Sequence, residues 1–464
     1  VAAHALLMTA VAWGAFAFGA VYSWAYLPLA LSGAVLFALA FASRSGRPAS
    51  LPLATAVMIV ATAIAIQLLP IGLEALRRWS PETSRTLETI NPAVAAHVFQ
   101  RHPLTIDPSR TTLALGLLVA NAMFLFGSAR LFSFRGVRGF AETLTVVGVV
   151  LALAGIVQQP LWNGKIYGVW QSIEGGDTYG PFVNKNHFAG WMLMALPLTL
   201  GLVCGRVARG FAAVKPTWRD RFVWLSSGDA SRLVLLAAAA GVMALALVLT
   251  MSRSGMSAMV LALAVTGAIV ARRQRGARRG SLIAYFILLT VLVVSWAGLD
   301  AIASRFSAAN WDDINGRRGA WMDAVDIASR FPLVGTGLDT YGVATLLYQR
   351  HDLEQHYNEA HNDYLQLAAE GGALVVIPAA IAVGCLIVTT WRRFAEEKSV
   401  TTYWLRVGAV TGLIAIAFQE TVEFSLQMPG NAALFAVLCG IAIHHTPSRK
   451  GVSSHDGRLP AVSV

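Results

Sequence analysis

Charge is what this 464-residue sequence has least of. Asp, Glu, Lys and Arg make up 13% of it, about half the share in a soluble globular chain, while 56% is hydrophobic and the mean hydropathy is +0.59. That shortage excludes a disordered chain, a nucleic-acid-binding domain and a water-soluble enzyme of ordinary composition. Cysteine is scarcer still. Cys204, Cys385 and Cys439 lie inside apolar runs, with no metal-ligand spacing and no disulfide framework, and read as small packing residues. No internal repeat is visible, and no low-complexity segment precedes the polar tail after His445. The outer loops contain no D-x-D pair, since Asp312 and Asp313 are adjacent.

What the sequence has in abundance is apolar runs of the length that crosses ~30 Å of hydrocarbon as a helix. About twelve are read, at 3–21, 26–43, 53–69, 111–128, 140–157, 187–204, 233–250, 255–271, 281–298, 373–390, 405–422 and 431–445. Several are rich in Ala and Gly, as close helix packing in lipid requires. The first run lacks a basic start and is followed directly by a second, so it reads as a signal anchor. The fold class expected is an all-α polytopic membrane protein, with one transmembrane domain over 1–445 and a cytoplasmic tail at 446–464.

The formal charge of +11 divides by side. With the N-terminus inside, the inner segments total +17 and the outer ones −6, and every inner loop follows the Lys/Arg bias that sets orientation. Both termini are therefore expected in the cytoplasm. Two long loops, 70–110 and 299–372, then face outward with the loop 158–186, and loops of such length usually carry function. In 70–110, Leu73, Leu76, Trp79 and the pair Arg77 and Arg78 read as a helix lying at the headgroups. In 299–372, Trp321, Ala324, Val325 and Ala328 mark one helix face that Pro332 stops. The segment from Tyr357 to Gly371 reads as a second helix, with Tyr364, Leu365, Leu367 and Ala368 as its stripe and His361 on the face of Leu365 and Ala368.

Candidate functional residues are the polar ones at the outer mouth. Arg253, in Met251-Ser-Arg-Ser-Gly255, reads either as a snorkelling anchor or as an anion site for a lipid phosphate. Arg317 and Arg318, at the start of the Trp321 helix, either pair with Asp312, Asp313 or Asp323 or grip a diphosphate with their planar forks. His361 is placed to take a proton from an attacking hydroxyl, with His351 and His356 as competitors. In Gly180-Pro-Phe-Val-Asn-Lys-Asn-His-Phe-Ala189, Asn184 or Asn186 caps the following span, and Lys185 adds a cation. Glu420 and Glu423 are positioned to orient a base or an arginine.

Four blocks, in order over 180–371, carry a family resemblance: Gly180–Ala189, Ser252-Arg-Ser-Gly255, Gly316-Arg317 with Trp321 and Pro332-Leu-Val-Gly-Thr-Gly337, and His361-Asn-Asp-Tyr-Leu-Gln366 with Glu370-Gly371. With these the chain resembles the O-antigen ligase and polymerase superfamily of bacterial envelope glycosyltransferases. The resemblance implies a GT-C-like membrane fold in the bacterial inner membrane, with a helical periplasmic loop over the site. It implies transfer of a glycan from undecaprenyl diphosphate to an acceptor hydroxyl, with inversion and without metal or other cofactor. The acceptor preferred is lipid A–core. The alternatives are a polymerase joining lipid-linked repeats and an oligosaccharyltransferase acting on protein. His361 is implied as the base, and Arg253 and Arg317, with Arg318 and Lys185, as the diphosphate site. Asn184, Asn186, Asn362, Asp363 and Glu370 support them. The partners implied are the lipid-linked donor, the glycan acceptor and membrane lipid, with no nucleic acid. A twelve-span transporter is the rival of another class. Charges are nearly absent from span interiors, where coupling residues of carriers sit, which weighs against it.

Overall fold

The computed structural model describes residues 2–42, 50–172 apart from 91, 97 and 99, 177–210, 228–273 and 311–446, with the isolated positions 280, 283, 284 and 287. The chain is mostly helical. In order come α1 (Ala2–Phe16), α2 (Ser23–Ala42), α3 (Leu51–Gln67), α4 (Leu73–Trp79), α5 (Pro81–Ile90), α6 (Pro92–Ala95), α7 (Pro108–Arg135), α8 (Arg138–Gln158) and α9 (Lys185–Gly210). These are followed by α10 (Gly228–Leu249), α11 (Arg253–Arg273), α12 (Trp311–Arg330), α13 (Tyr341–Tyr348), α14 (Asp363–Glu396), α15 (Val400–Gln419) and α16 (Pro429–Ile443). A two-residue antiparallel pairing of β1 (Ile71–Gly72) with β2 (Arg101–His102) closes the segment that holds α4 to α6.

Among the described residues seven helices, α2, α7, α8, α9, α10, α14 and α15, are long and apolar enough to cross a membrane, and α1, α3, α11 and α16 are shorter apolar helices. This is a polytopic membrane protein. The expected run at 281–298 lies almost wholly outside the described residues. The helices start where local chemistry stops the chain from fraying. Asp107 caps α7 by accepting from the N–H groups of Ser109 (3.0 Å) and Arg110 (3.2 Å), and Ser252 caps α11 by accepting from Gly255 (3.2 Å). Between α10 and α11 the expected Met-Ser-Arg-Ser-Gly turn is present, with Met251 at φ 53°.

The centre of the bundle is α9, whose apolar window is wholly buried. It packs most closely on α15. A Cβ at Gly201 would stand 2.5 Å from the carbonyl oxygen of Trp404, so glycine is what allows the two backbones to touch.

The connecting segments gather at one end of this bundle. Gln67, fully buried at the end of α3, donates to the carbonyls of Val334 (2.7 Å) and Glu370 (2.9 Å) and accepts from Leu338 N–H (3.2 Å). It thereby bolts the turn after α12 to the start of α14. That turn reaches back as well. Ile106 N–H donates to the Thr336 carbonyl (2.8 Å), and Ala373 N–H donates to that of Pro332 (2.9 Å). Helix α14 kinks around the turn at Gly372, which has φ 54° and ψ −168°.

Three expectations about this end are corrected. Arg317 and Arg318 do not open their helix, because α12 begins at Trp311. The buried stripe of α12 is Ala320, Ala324, Ile327 and then Phe331, while Val325 is exposed. The second helix starts at Asp363, not Tyr357. Asn362 caps it by accepting from Tyr364 N–H (3.1 Å) and Leu365 N–H (3.0 Å), leaving His361 outside at φ 50°. Its buried residues are Gln366, Ala369, Glu370 and Gly371, with Tyr364 exposed. In α4 Leu76 is buried and Trp79 exposed.

Candidate functional site

The polar residues at this end converge on Glu423. This carboxylate follows α15 and is fully buried. Its Oε1 accepts from Nη2 of Arg317 (2.7 Å) and from Nδ2 of Asn186 (2.7 Å). Its Oε2 faces Nδ1 of His361 across 3.8 Å, and neither atom has another hydrogen-bond partner among the described residues. Burial pushes the Glu423 carboxyl up, but the facing His361 ring and the Arg317 guanidinium more than offset it, and the group is held below its ordinary 4.5. It is therefore an anion held between a cation and an imidazole.

Each partner reaches Glu423 from a separate element. Asn186 sits in the first turn of α9, which Asn184 caps by accepting from the Asn186 N–H (2.8 Å). Arg317 comes from α12; one of its five N–H donors is spent on Glu423, and its side chain keeps 31% of its surface exposed. His361 is held from two sides. Trp321 Nε1 donates to its carbonyl (3.1 Å), and Phe424 packs edge-on against its ring, with centroids 4.8 Å apart. The other side of Phe424 meets the buried ring of His187 at 4.7 Å.

A second layer pins the turn that carries His361. Asn362 donates to the Thr421 carbonyl (2.8 Å), and Asp363 N–H donates to that of Glu420 (3.1 Å). Asp363 Oδ1 accepts from Gln427 (2.7 Å). Glu420 is buried beside it. Burial and the Asp363 carboxyl push Glu420 well above 4.5. Gln366 donates to Glu359 (2.6 Å) and accepts from Ala360 N–H (2.9 Å).

Of the other candidates, Glu370 and Lys185 are engaged elsewhere. Glu370 is buried, accepting from the N–H groups of Asp339 (2.8 Å) and Tyr341 (2.9 Å), and so builds the turn before α13. Lys185 pairs with Asp177, a carboxylate that the sequence reading passed over. Arg318 is exposed. Arg253 opens α11 next to Gly255, which packs on Ala189 one turn below Asn186. Of the proposed arginine partners, Asp323 instead holds His351, with 2.7 Å from Oδ1 to Nδ1, and the side chains of Asp312 and Asp313 lie outside the described residues. His356 is exposed. Reading the sequence missed His187, Phe424 and Asp177; only His187 stood in a quoted motif, and no spacing marked it.

A buried carboxylate that contacts a histidine and an arginine can orient an imidazole for proton transfer beside a bound anion. Residues 238–379 match the family model described as O-Antigen ligase. The match covers Arg253, Arg317 and His361 and stops short of Asn186 and Glu423. No curated protein matches the chain.

Proposed function

We propose that the protein is a glycosyltransferase that moves a glycan from undecaprenyl diphosphate to an acceptor hydroxyl, and that the acceptor is lipid A–core. The reading has the site at the periplasmic face of the inner membrane, with both termini cytoplasmic. The observation that carries it is the convergence of Arg317 and His361 on buried Glu423.

In this reaction the acceptor oxygen forms a bond to the anomeric carbon from the side opposite the leaving group, so the configuration inverts. The bond from that carbon to the phosphate oxygen breaks, and its electron pair leaves with the lipid diphosphate. The acceptor proton passes to Nε2 of His361, while Glu423 steadies Nδ1–H and the imidazolium that forms. The remaining donors of Arg317, with Arg253, stabilise the charge that grows on the diphosphate, and do so better in a partly dehydrated site than in water.

Incubating the purified protein with lipid-linked O-antigen and either lipid A–core or more lipid-linked glycan tests the assignment. The expected product is a lipid A–core conjugate. Elongated lipid-linked glycan without that conjugate would make the enzyme a polymerase; glycan crossing proteoliposomes with no covalent transfer would overturn the reading.

A further inference from the structure

The Gly180–Ala189 segment serves two places at once. Asn186 reaches Glu423, whereas its neighbour Lys185 pairs with Asp177. Asp177 stands in the wall of a solvent-open cleft of about 140 Å³, lined also by Gln158, Gln159, Trp162, Thr178 and the Tyr179-Gly180 turn. None of these residues takes part in the centre around Glu423.

The cleft is shaped by its own walls. Gln158 Nε2 donates to the Gly180 carbonyl (2.8 Å), and its Oε1 accepts from Tyr167 N–H (3.1 Å). Gly180 has φ 54°, and a Cβ there would stand 3.3 Å from the Cα of Gly155 on α8. Tyr179 and Phe182 exchange backbone hydrogen bonds of 3.2 and 3.1 Å. Gln158 is thus consumed in holding the wall. Trp162, 44% exposed, the exposed amide of Gln159, the Asp177 carboxylate and the Thr178 hydroxyl remain for an occupant.

That set of groups selects the occupant's chemistry. An acyl chain would leave the amide, carboxylate and hydroxyl without partners, which costs about 1–3 kcal/mol for each group so buried. A second phosphate would meet Asp177, and the cation at the wall, Lys185, is already paired with it. A neutral ring with several hydroxyls fits. Its O–H groups donate to the carboxylate and the amide oxygen, and its oxygens accept from the amide N–H. Its C–H face lies on the indole.

We infer that this cleft is a glycan subsite that holds one sugar residue while the reacting end of the glycan lies at Glu423. The inference rests on the reading of the protein as a glycan transferase. The sugar belongs either to the donor or to the acceptor.

Steady-state transfer by Trp162→Ala tests it, with donor and acceptor each varied in turn. The expected result is a KM raised about tenfold for one of the two substrates, with kcat within about twofold; the substrate affected names the source of the sugar. Gln159→Ala, at an exposed side chain, repeats the test if the tryptophan variant does not fold. Two unchanged KM values in a folded variant would overturn the inference. Calorimetry with the oligosaccharide freed from its lipid supplies an arm independent of turnover. Binding that survives in His361→Ala and is lost when Trp162→Ala is added supports the subsite, even for a protein that transfers nothing. No Trp162-dependent binding in a protein that does transfer glycan would sink the subsite and spare the transferase.

Discussion

Glu423 decides how the candidate site works, because among the described residues it is the side chain that meets both the arginine and the histidine. Replacing it by Gln keeps an oxygen for Arg317 and Asn186 but turns an N–H toward Nδ1 of His361. The imidazole then takes the tautomer with its proton on Nε2, the wrong atom for a base. Glu423→Gln is expected to lower kcat by about 10²–10⁴-fold, the range in which losing an orienting carboxylate falls, with donor affinity little changed. The same variant has a pH signature. The Glu423 carboxyl is held below 4.5 in the folded protein, so its stabilising contribution is present above that value and is lost as pH falls through the depressed one. Acid unfolding followed by tryptophan fluorescence should show this limb in the native protein and a flatter one in the variant.

How far these residues were legible depended on whether local sequence determined their surroundings. Arg317 and His361 stand out because a charge or an imidazole beside apolar runs needs a reason. Glu423 stood out for the same reason, yet its partners lie 106 and 62 positions away along the chain, and no spacing rule joins them. His361 was misplaced on a helix face because the apolar period runs through it, whereas Asn362 takes the cap and leaves His361 in a left-handed conformation. Lys185 was read as a free cation because Asp177, eight residues earlier, was not weighed against it.

At the scale of elements, the basic end of the bundle shows that a charge which signals topology can also build structure. Arg130 Nε donates to the Ala40 carbonyl in the last turn of α2 (2.8 Å), and Arg393 Nε donates to that of Ile443 at the end of α16 (2.9 Å). Arg406 goes further. Buried on α15, it donates to the carbonyls of Ala442 (3.0 Å), His444 (2.9 Å) and Arg393 (3.0 Å) and to Oε2 of Glu397 (2.8 Å). Each supplies the donors that a helix C-terminus lacks and sits at the favourable end of its dipole. Arg406→Met strands the Glu397 carboxylate, which is as buried as its partner. It should cost ~3–5 kcal/mol, seen as a lowered Tm in detergent. Arg406→Met with Glu397→Leu should recover a part of the loss; equal loss in both would show that the helix caps, not the ion pair, dominate. Helix positions were legible from hydropathy alone. The C-cap role was not, since it depends on which helix ends meet.

For the whole molecule, the apolar bundle leaves few places where polar chemistry can occur, and its connecting segments close over one of them. Gln67 illustrates the cost of that closure. A buried amide at the end of an apolar run is tolerated because three backbone groups of distant segments satisfy it. The measurement that bears most directly on the account is glycan transfer by His361→Ala, with binding of the lipid-linked donor measured on the same preparation. The account predicts transfer lowered by at least about 10³-fold and donor affinity within about threefold of the native value. Native-rate transfer by this variant would contradict it and place the base on another residue.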